Sequence, residues 1–466
     1  MRLRGNISIW FLFAMAGLAG LLYGIDIGVI SAALPYIKAT TSFSDAQLSL
    51  VVGAVVMGAF ASALFAGALA ERFGRRPVVL MSAAAFTLSV PIICLSSGSF
   101  AVMMLGRLIQ GASQGLISVV MPMYLAETLP ADIRGKGTGF FHFMLSIGLV
   151  AVALLGFVIA SLTGDAAASV DVVSVAAKTR AWQMNFWISG VPGLLLLFGG
   201  MWLPESPYWL GKAKLRGQGA ENGKLGTESG EHGMEAKNPQ TLLQRKYIVP
   251  FVLVLVVLVC TQATGINALM NYSVSILSGV GLPGALANAA DTVIKVVNLL
   301  MTLFALTLVD RRGRRFLLKM GTMGVILAHA AAGSIFLAIR LGWVQVSFWT
   351  GVPMMIAFVL LVAFYAIGPG VCVWLVLSEL MPGRIRANGM SIALFCNRGV
   401  AMAITSSFLP WANAWGYDGI CFTLAVCTVV YFVAVAFFMP ETKGKTLEEI
   451  ERFFESGKSV ERKIEK

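Results

Sequence analysis

Apolar residues fall in long blocks along this chain, and short segments between the blocks carry most of the charge. A block of about 20 apolar residues is enough for a helix to cross the hydrocarbon core of a bilayer. These blocks are too long for barrel strands, and backbone groups in lipid must be satisfied internally, so we predict helices. Hydropathy indicates roughly twelve spans, at about 9–37, 46–70, 77–96, 99–127, 138–163, 184–203, 248–279, 283–309, 316–339, 348–379, 387–411 and 418–439.

Three charged motifs occur twice at nearly constant spacing. ERFGRR at Glu71–Arg76 returns as DRRGRR at Asp310–Arg315, and the other two pairs, Glu127–Pro130 with Glu379–Pro382 and Pro204–Pro207 with Pro440–Lys443, follow the same order. Their offsets are 239, 252 and 236 residues. This pattern predicts an internal repeat of one structural unit, as in transporters whose halves move around a shared site. We therefore predict an N-terminal six-helix bundle at 1–207, a cytoplasmic linker at 208–246, a second bundle at 247–440 and a tail at 441–466.

The composition excludes a soluble domain. Hydrophobic residues make up 58% of the chain and charged residues 12%, against roughly 25% charged residues in soluble domains. The net charge of +12 would suit a nucleic-acid binder, but Lys and Arg concentrate in alternate loops. That asymmetry follows the positive-inside rule. It predicts a multi-pass protein of the cytoplasmic membrane with both termini in the cytoplasm and no nucleic-acid partner.

Catalytic and metal-binding patterns are not found in the sequence. The six cysteines all lie in apolar spans without metal-ligand spacing, so we predict neither a metal site nor a disulfide. No catalytic Ser/His/Asp arrangement or nucleotide-binding loop occurs either. We expect no enzymatic activity and no cofactor.

Two ionisable residues lie at similar depth in different spans. Asp26 comes some 11 residues before the end of span 1 and Arg107 some 8 residues after the start of span 4. At about 1.5 Å per residue, both lie on the order of 12–16 Å below the outer surface. A lone charge there is costly, so pairing, or protonation of Asp26, is favoured. The pair is either a static link between the spans or, as we prefer, a switch in which protonation frees Arg107; Gly24 and Gly28 permit close approach of a helix or a solute.

The spans hold other ionisable residues at three places. Lys295 follows Asp291 by four residues, so the two share a helix face and are expected to pair, more for structure than for function. His329 is expected to be a satisfied core residue. Arg398, which follows Asn397 in span 11, lies deeper, and a purely structural role is harder to assign to it.

The charged motifs together resemble those of a known family. The matching residues are Glu71–Arg76, Arg134-Gly135-Lys136, Pro204–Pro207, Gln262 with Gly265-Ile266-Asn267, Asp310 with Gly313-Arg314-Arg315, Gly368-Pro369-Gly370 with Trp374, and Pro440–Gly444. In this order they resemble the sugar porter branch of the major facilitator superfamily, from Gly24 to Leu447. The resemblance implies an all-α membrane protein of the proton-coupled sugar symporter type, with twelve transmembrane helices in two pseudo-symmetric six-helix bundles (the major facilitator fold).

The resemblance also supplies candidate sugar contacts. Polyhydroxy solutes need amides and hydroxyls, which donate and accept at once, beside an apolar or aromatic face. The residues it places in this role are His142, Gln262, Asn267, Asn271, Tyr272, Asn298, Trp374 and Asn397. Gln262 and Asn267 are five apart, about 500° around an ideal helix, and Gly265 between them lets the helix distort. Gly368-Pro369-Gly370 predicts a hinge in span 10.

Three departures from the family pattern bear on the solute. Thr261-Gln262 stands where two glutamines are usual, Asn271-Tyr272 where two tyrosines are usual, and His142 where span 5 usually has glutamine. Polyols, pentoses or an acidic sugar therefore become candidates. His142 could contact the ligand, take part in proton movement, since its unperturbed pKa is near 6.5, or simply pack.

The charged motifs are also candidates for a cytoplasmic gate. The residues concerned are Arg72, Arg75, Glu127, Arg134 and Glu205 in the first half, and Arg311, Arg315, Glu379, Arg386 and Glu441 in the second, with Arg75 matching Arg314 or Arg315. Such groups can pair across the inner face when the outer side is open, although each exposed pair contributes only about 0–1 kcal/mol. The alternative is that they only determine topology.

These observations predict a transporter that imports a sugar or related polyol with a proton, by alternating access, and works as a monomer in the bilayer. Asp26 would bind the proton and Arg107 would respond to its charge. An uncoupled facilitator and a membrane nutrient sensor remain alternatives; a sensor is expected to carry a long tail, whereas only about 26 residues follow span 12.

Overall fold

The computed structural model describes residues 9–130, 134–163, 172–211, 245–381, 386–443, 445 and 447–455. The first half contains spans 1 to 6. Spans 1 to 5 are Ile9–Thr40, Asp45–Phe73, Arg75–Cys94, Phe100–Thr128 and Arg134–Thr163. Span 6 consists of two consecutive helices, Val172–Ser189 and Val191–Gly200.

The second half repeats this order with more interruptions. Span 7 is Arg245–Ala263 and Ile266–Gly279, span 8 is Gly284–Arg312, span 9 is Arg314–Arg340, and span 10 is Phe348–Tyr365, a π-helical turn at Ala366–Gly370, and Val371–Leu380. Spans 11 and 12 lie in one helical stretch, Arg386–Val433, which bends at Gly416, where φ is 78°. A π-helical turn at Ala434–Phe438 ends span 12, and a surface helix, Leu447–Glu455, follows.

Helix length and composition account for the predicted spans. Ten helices in the described ranges are long and apolar enough to cross a membrane. One of them, Ile392–Phe438, holds two spans because of the bend at Gly416, and span 6 is divided between two shorter helices. The predicted all-α fold with twelve transmembrane helices in two pseudo-symmetric halves is confirmed. The domain boundaries stay predictions, since most of 208–246 lies outside the described residues.

The duplicated motif forms the same turn in both halves. Span 2 ends before Gly74 and span 8 ends before Gly313, and these glycines have φ of 102° and 88°. The next helix begins at Arg75 in the first half and at Arg314 in the second. The sequence repeat is therefore also a repeat of local structure.

Span 1 packs closely on span 5 through glycines spaced four apart. A Cβ added at Gly20 or Gly24 would collide with the backbone oxygen of Phe141 or Leu145, and one at Gly28 would press on Val152. Small residues at this spacing let two membrane helices approach closely. Gly24 and Gly28 thus admit a neighbouring helix.

The two ends of the bundle differ in how the halves meet. We call the end with the turns at Gly74 and Gly313 the charged face, and the opposite end the distal face. At the distal face, the backbone N–H of Leu409 donates to Ser49 Oγ (3.0 Å), and Asn413 Nδ2 donates to Asp45 Oδ2 (2.9 Å), so span 11 is fastened to span 2. A cavity of about 390 Å³ remains there, and its lining includes Tyr36, Lys38, Ser278, Asn288 and Tyr417.

Candidate functional site

Asp26 is a buried carboxyl group without a hydrogen-bond partner. Its exposed fraction is 0%, and neither carboxylate oxygen meets a donor in the described part of the chain. It lies near the middle of span 1, between Ile9 and Thr40. A charged carboxylate at this depth without partners is expensive, so the surroundings favour its neutral form.

Arg107 is also buried, with 1% exposure, but its guanidinium has hydrogen-bond partners. Nη1 donates to Gln110 Oε1 at 2.7 Å and Nε donates to the backbone oxygen of Val51 at 3.4 Å. The guanidinium lies 5.7 Å from the ring centroid of Phe186, where a cation and an aromatic face attract. Span 4 thus holds Arg107 against spans 2 and 6.

Asp26 and Arg107 form no ion pair within 4 Å in this structure, as judged from the described residues. Of the two outcomes that the sequence allowed, pairing or protonation of Asp26, this arrangement agrees with protonation. Arg107 instead donates hydrogen bonds to Gln110 and Val51. Their role in coupling stays a prediction.

Three amide side chains meet across spans 7 and 11. Asn267 Nδ2 donates to Gln262 Oε1 (2.6 Å), Gln262 Nε2 donates to Asn397 Oδ1 (3.3 Å), and Asn397 Nδ2 donates to the backbone oxygen of Leu258 (2.7 Å). We call Gln262, Asn267 and Asn397 the amide group. Its geometry depends on Gly265, which has φ of 73° where span 7 breaks. The predicted distortion is confirmed, since an unbroken helix would turn Asn267 away from Gln262.

The other predicted sugar contacts lie in different surroundings. Tyr272 is fully buried, donates to the backbone oxygen of Thr405 at 3.2 Å and stacks on Phe408, and Asn271 is 7% exposed. Trp374 is 47% exposed, on the π-interrupted span 10. Asn298 is half-buried in span 8 and His142 is exposed in span 5. In the described part of the chain, the side chains of Asn298 and Trp374 make no hydrogen bond to the amide group.

Arg398 lies one residue beyond Asn397 and reaches the other half. Its Nη2 donates to the hydroxyl of Tyr23 in span 1 at 3.2 Å. Asn397 turns towards span 7 while Arg398 turns towards span 1, so the two residues connect the amide group to the interface between the halves. The sequence placed Arg398 deep in span 11 but gave it no partner.

A second buried polar cluster joins the halves on the distal side. Lys295 Nζ lies 2.6 Å from Asp291 Oδ2, which confirms the predicted pair. Lys295 also donates to Ser31 Oγ in span 1 (2.8 Å), and Ser273 of span 7 donates to Asp291 Oδ1 (2.5 Å). All four side chains are 2% exposed or less. We call Ser31, Ser273, Asp291 and Lys295 the distal cluster.

The charged face of the first half is organised around Arg75. Its Nε and Nη2 donate to the two carboxylate oxygens of Glu127 (2.8 and 2.7 Å), and Nη2 also reaches Glu71 (3.0 Å). Ser206 donates to Glu127 as well. Glu205 accepts the backbone N–H of Arg75 (2.8 Å), at the start of span 3. A carboxylate is favourable at a helix start because of the helix dipole.

The second half reproduces this cluster with longer contacts. Arg314 Nη2 lies 3.2 Å from Glu379, Thr442 donates to Glu379, and Glu441 accepts the backbone N–H groups of Arg314 and Arg315 (3.0 and 3.1 Å). Of the two arginines that the sequence left open, Arg314 takes the place of Arg75. The sequence reasoning did not single out Ser206 and Thr442, although superposing the two repeats places them at matching positions.

The remaining gate candidates have minor contacts. Arg72 is exposed beside Phe73, Arg311 is exposed with its backbone oxygen accepting from Lys443, and Arg315 donates to the backbone oxygen of Ala436. The side chains of Arg134 and Arg386 lie outside what the structure describes. Every gate ion pair seen among the described residues stays within one half.

Two further features concern chemistry in the core. His329 is fully buried, and its Nε2 lies 2.9 Å from the backbone oxygen of Thr264, beside the break in span 7. This contact agrees with a core position, but Nδ1 meets no hydrogen-bond partner among the described residues, so the histidine is only partly satisfied. Within the described residues, no group of three His, Cys, Asp or Glu side chains could hold a metal ion.

Comparison with known proteins shows which family this chain resembles. The family model "Sugar (and other) transporter" matches residues 12–454. The chain is 30% identical over 458 residues to the glucose transporter GlcP of Staphylococcus epidermidis (95% of this chain, 96% of that protein). It is 28% identical over 467 residues to the galactose-proton symporter of Escherichia coli (97% and 95%).

A solved structure gives the same fold. The crystal structure of a D-xylose-proton symporter matches with a TM-score of 0.77 at 24% identity, covering 94% of this chain and all of that one. The family consists of membrane-spanning transporters, which agrees with the absence of a catalytic motif in the sequence. The chain belongs to the sugar transporter family of the major facilitator superfamily.

Proposed function

We propose that this protein imports a monosaccharide or a related polyol together with a proton, by alternating access. The observation that carries the proposal is Asp26, a buried carboxyl that meets no hydrogen-bond donor among the described residues, in the half opposite the amide group. A membrane-buried ionisable group of this kind suits a proton carrier. The galactose-proton symporter among the relatives supports proton coupling.

The coupling step depends on Asp26 and Arg107. When Asp26 is charged, attraction draws Arg107 towards it and away from Gln110 and Val51. When Asp26 is protonated, Arg107 returns to those partners, as in this structure. Protonation thereby changes how span 1 is held against spans 2 and 4, which biases the equilibrium between two arrangements of the halves.

Solute recognition centres on the amide group. Gln262, Asn267 and Asn397 offer paired donors and acceptors, which hydroxyl groups of a sugar can use. His142, Asn298 and Trp374 are exposed or half-buried and complete the site from spans 5, 8 and 10. Asn271 and Tyr272 are buried here, on the same helix of span 7 that carries Asn267.

The charged clusters act as a gate at the charged face, which is the cytoplasmic side with both termini. In this structure span 11 is fastened to span 2 at the distal face, and the gate pairs remain inside their own halves. This is the arrangement expected with the distal side closed. Opening the distal side would bring the clusters of Glu127 and Glu379 together across the charged face, and the protein would do this as a monomer.

Uptake by purified protein in proteoliposomes tests the proposal. Hexoses, pentoses and polyols would be offered with and without an inward pH gradient, and we expect at least one of them to accumulate above its outside concentration only with the gradient. Uptake that equilibrates without accumulating would indicate a facilitator. Binding without uptake of any solute would indicate a sensor and would contradict the proposal.

A further inference from the structure

We propose that the solute of this transporter carries a carboxylate, and that Arg398 binds it. The inference rests on the proposed function and narrows its substrate to acidic sugars such as uronic or aldonic acids. It starts from a charge in the middle of the bundle that the protein itself does not balance.

Arg398 lies at mid-depth in span 11 and is only partly covered by the protein. It follows Arg386, at the charged-face end of span 11, by twelve residues, or about 18 Å of helix rise. At this depth a charged side chain faces either a partner or a water-filled cavity. Arg398 is half-buried, so part of its surface is not covered by the described protein atoms.

The partners of Arg398 are neutral. In the described part of the chain, its hydrogen bond goes to the hydroxyl of Tyr23, and no carboxylate lies within 4 Å of it. The phenol of Tyr365 in span 10 is also close enough to interact electrostatically with the guanidinium of Arg398. A guanidinium has five N–H donors in a planar fork, and the single Tyr23 contact leaves most of them available.

The other deep charges do not compensate Arg398. Asp291 is held by Lys295, Ser31 and Ser273 in the distal cluster. Asp26 is the only other carboxyl deep in the described spans 1, 4, 7, 8 and 11, and it lies with Arg107 inside the first half. Even with Asp26 ionised, these deep groups include one cation more than the carboxyls can balance, and a solute with a single negative charge would offset the charge of Arg398.

Arg398 is placed where such a solute would sit. Its neighbour Asn397 belongs to the amide group, so a sugar whose hydroxyls bond to Gln262 and Asn397 would have a substituent within reach of span 1. Arginine matches a planar carboxylate through two parallel hydrogen bonds, and this pairing adds specificity. The amides then select the sugar and the guanidinium selects its acid group.

Matched neutral and acidic sugars test the inference. Competition would be measured for D-glucuronate against D-glucose and D-galacturonate against D-galactose, with wild type, Arg398→Gln and Arg398→Lys. We expect the acid to compete at least about tenfold better than its neutral partner in wild type, since a desolvated charge pair contributes that much or more. Arg398→Gln should remove this preference with little change for the neutral sugar, and Arg398→Lys should keep part of it.

The control is Arg340→Gln, which removes an exposed arginine paired with Asp418 at the distal face and should leave the preference intact. A second measurement needs only wild type: one proton entering with a singly charged acid moves no net charge, so an imposed membrane potential should not drive its uptake. A neutral sugar preferred in wild type, with a ratio that Arg398→Gln does not change, would overturn the inference and leave the proposed function standing. Failure of the sugar acids and of every hexose, pentose and polyol to bind would overturn both the inference and the proposed function.

Discussion

The ammonium group of Lys295 in span 8 donates a hydrogen bond to the hydroxyl of Ser31 in span 1 at 2.8 Å, across the boundary between the halves. The same ammonium lies 2.6 Å from the carboxylate of Asp291. Residues of the 390 Å³ cavity lie about one turn nearer the distal face on the same spans, among them Leu34, Ser278 and Asn288. The distal cluster therefore lies about one helical turn deeper in the bundle than that cavity.

Lys295→Met should destabilise the protein strongly, because Asp291 would remain buried without its cation. Breaking a buried pair from one side costs about 3–5 kcal/mol, so the melting temperature of the purified protein should fall clearly. Adding Asp291→Leu should recover much of the loss, since an apolar pair needs no compensation. Lys38→Met is the control, because the Lys38–Asp45 pair is largely exposed and is worth about 0–1 kcal/mol. Equal losses in Lys295→Met and Lys38→Met would contradict this account of the distal cluster.

Ser31→Ala should loosen the distal closure while leaving the Asp291–Lys295 pair in place. Ser31 is the first-half member of the cluster, and a hydrogen bond to a charged group is worth about 1.5–3 kcal/mol. Spin labels at Ser97 and Gly342 lie in distal loops of the two halves. Double electron–electron resonance should then show a larger population of long label-to-label distances. Ser334→Ala, which removes a hydroxyl bonded within its own helix, should leave the distribution unchanged.

Arg75→Lys should destabilise the first half more than Arg314→Lys destabilises the second. Arg75 binds both oxygens of Glu127 and has a side chain 2% exposed, whereas the Arg314–Glu379 pair is longer and 15% and 23% exposed. Lysine cannot reproduce the two parallel bonds. We expect losses of about 1–3 kcal/mol at Arg75 and under about 1 kcal/mol at Arg314, measured by thermal melting. A larger loss of stability at Arg314 would show that burial does not determine how much each arginine cluster contributes.

Gln262→Leu should weaken solute binding because it removes the centre of the amide group. We expect KM for the transported solute to rise about tenfold or more, as when buried polar contacts to a ligand are left unmade. Thr261→Val is the matched control: Thr261 is 2% exposed and its hydroxyl bonds to Val257 and Tyr431, away from the amides. If Thr261→Val raised KM as much as Gln262→Leu, the solute would not be recognised through Gln262.

The fold could be predicted from the sequence because membrane solvent leaves few choices. Apolar blocks of spanning length must be helices, and the repeat at Glu71–Arg76 and Asp310–Arg315 divides them into halves. The break at Gly265, the interruption at Gly368-Pro369-Gly370 and the Asp291–Lys295 pair were predicted for the same reason: each depends on neighbours within one helix.

Contacts between distant helices could not be predicted in this way. Depth along a span does not give the direction of a side chain, so it could not show that Arg107 bonds to Gln110 and Val51 in place of Asp26. Nor could it join Ser31 to Lys295 or Arg398 to Tyr23, which lie hundreds of residues apart in the chain. These contacts depend on how the halves pack.

Accumulation driven by a pH gradient in wild type and Asp26→Asn is the most direct test of the central claim, that Asp26 carries the coupled proton. One pH unit is worth about 1.4 kcal/mol, or a tenfold concentration ratio for one proton per solute. We predict that wild type and Glu449→Gln, a control that changes an exposed carboxyl on the surface helix Leu447–Glu455, accumulate solute under an inward gradient. Asp26→Asn should exchange solute at equal pH but never concentrate it. Accumulation by Asp26→Asn equal to that of wild type would contradict the account.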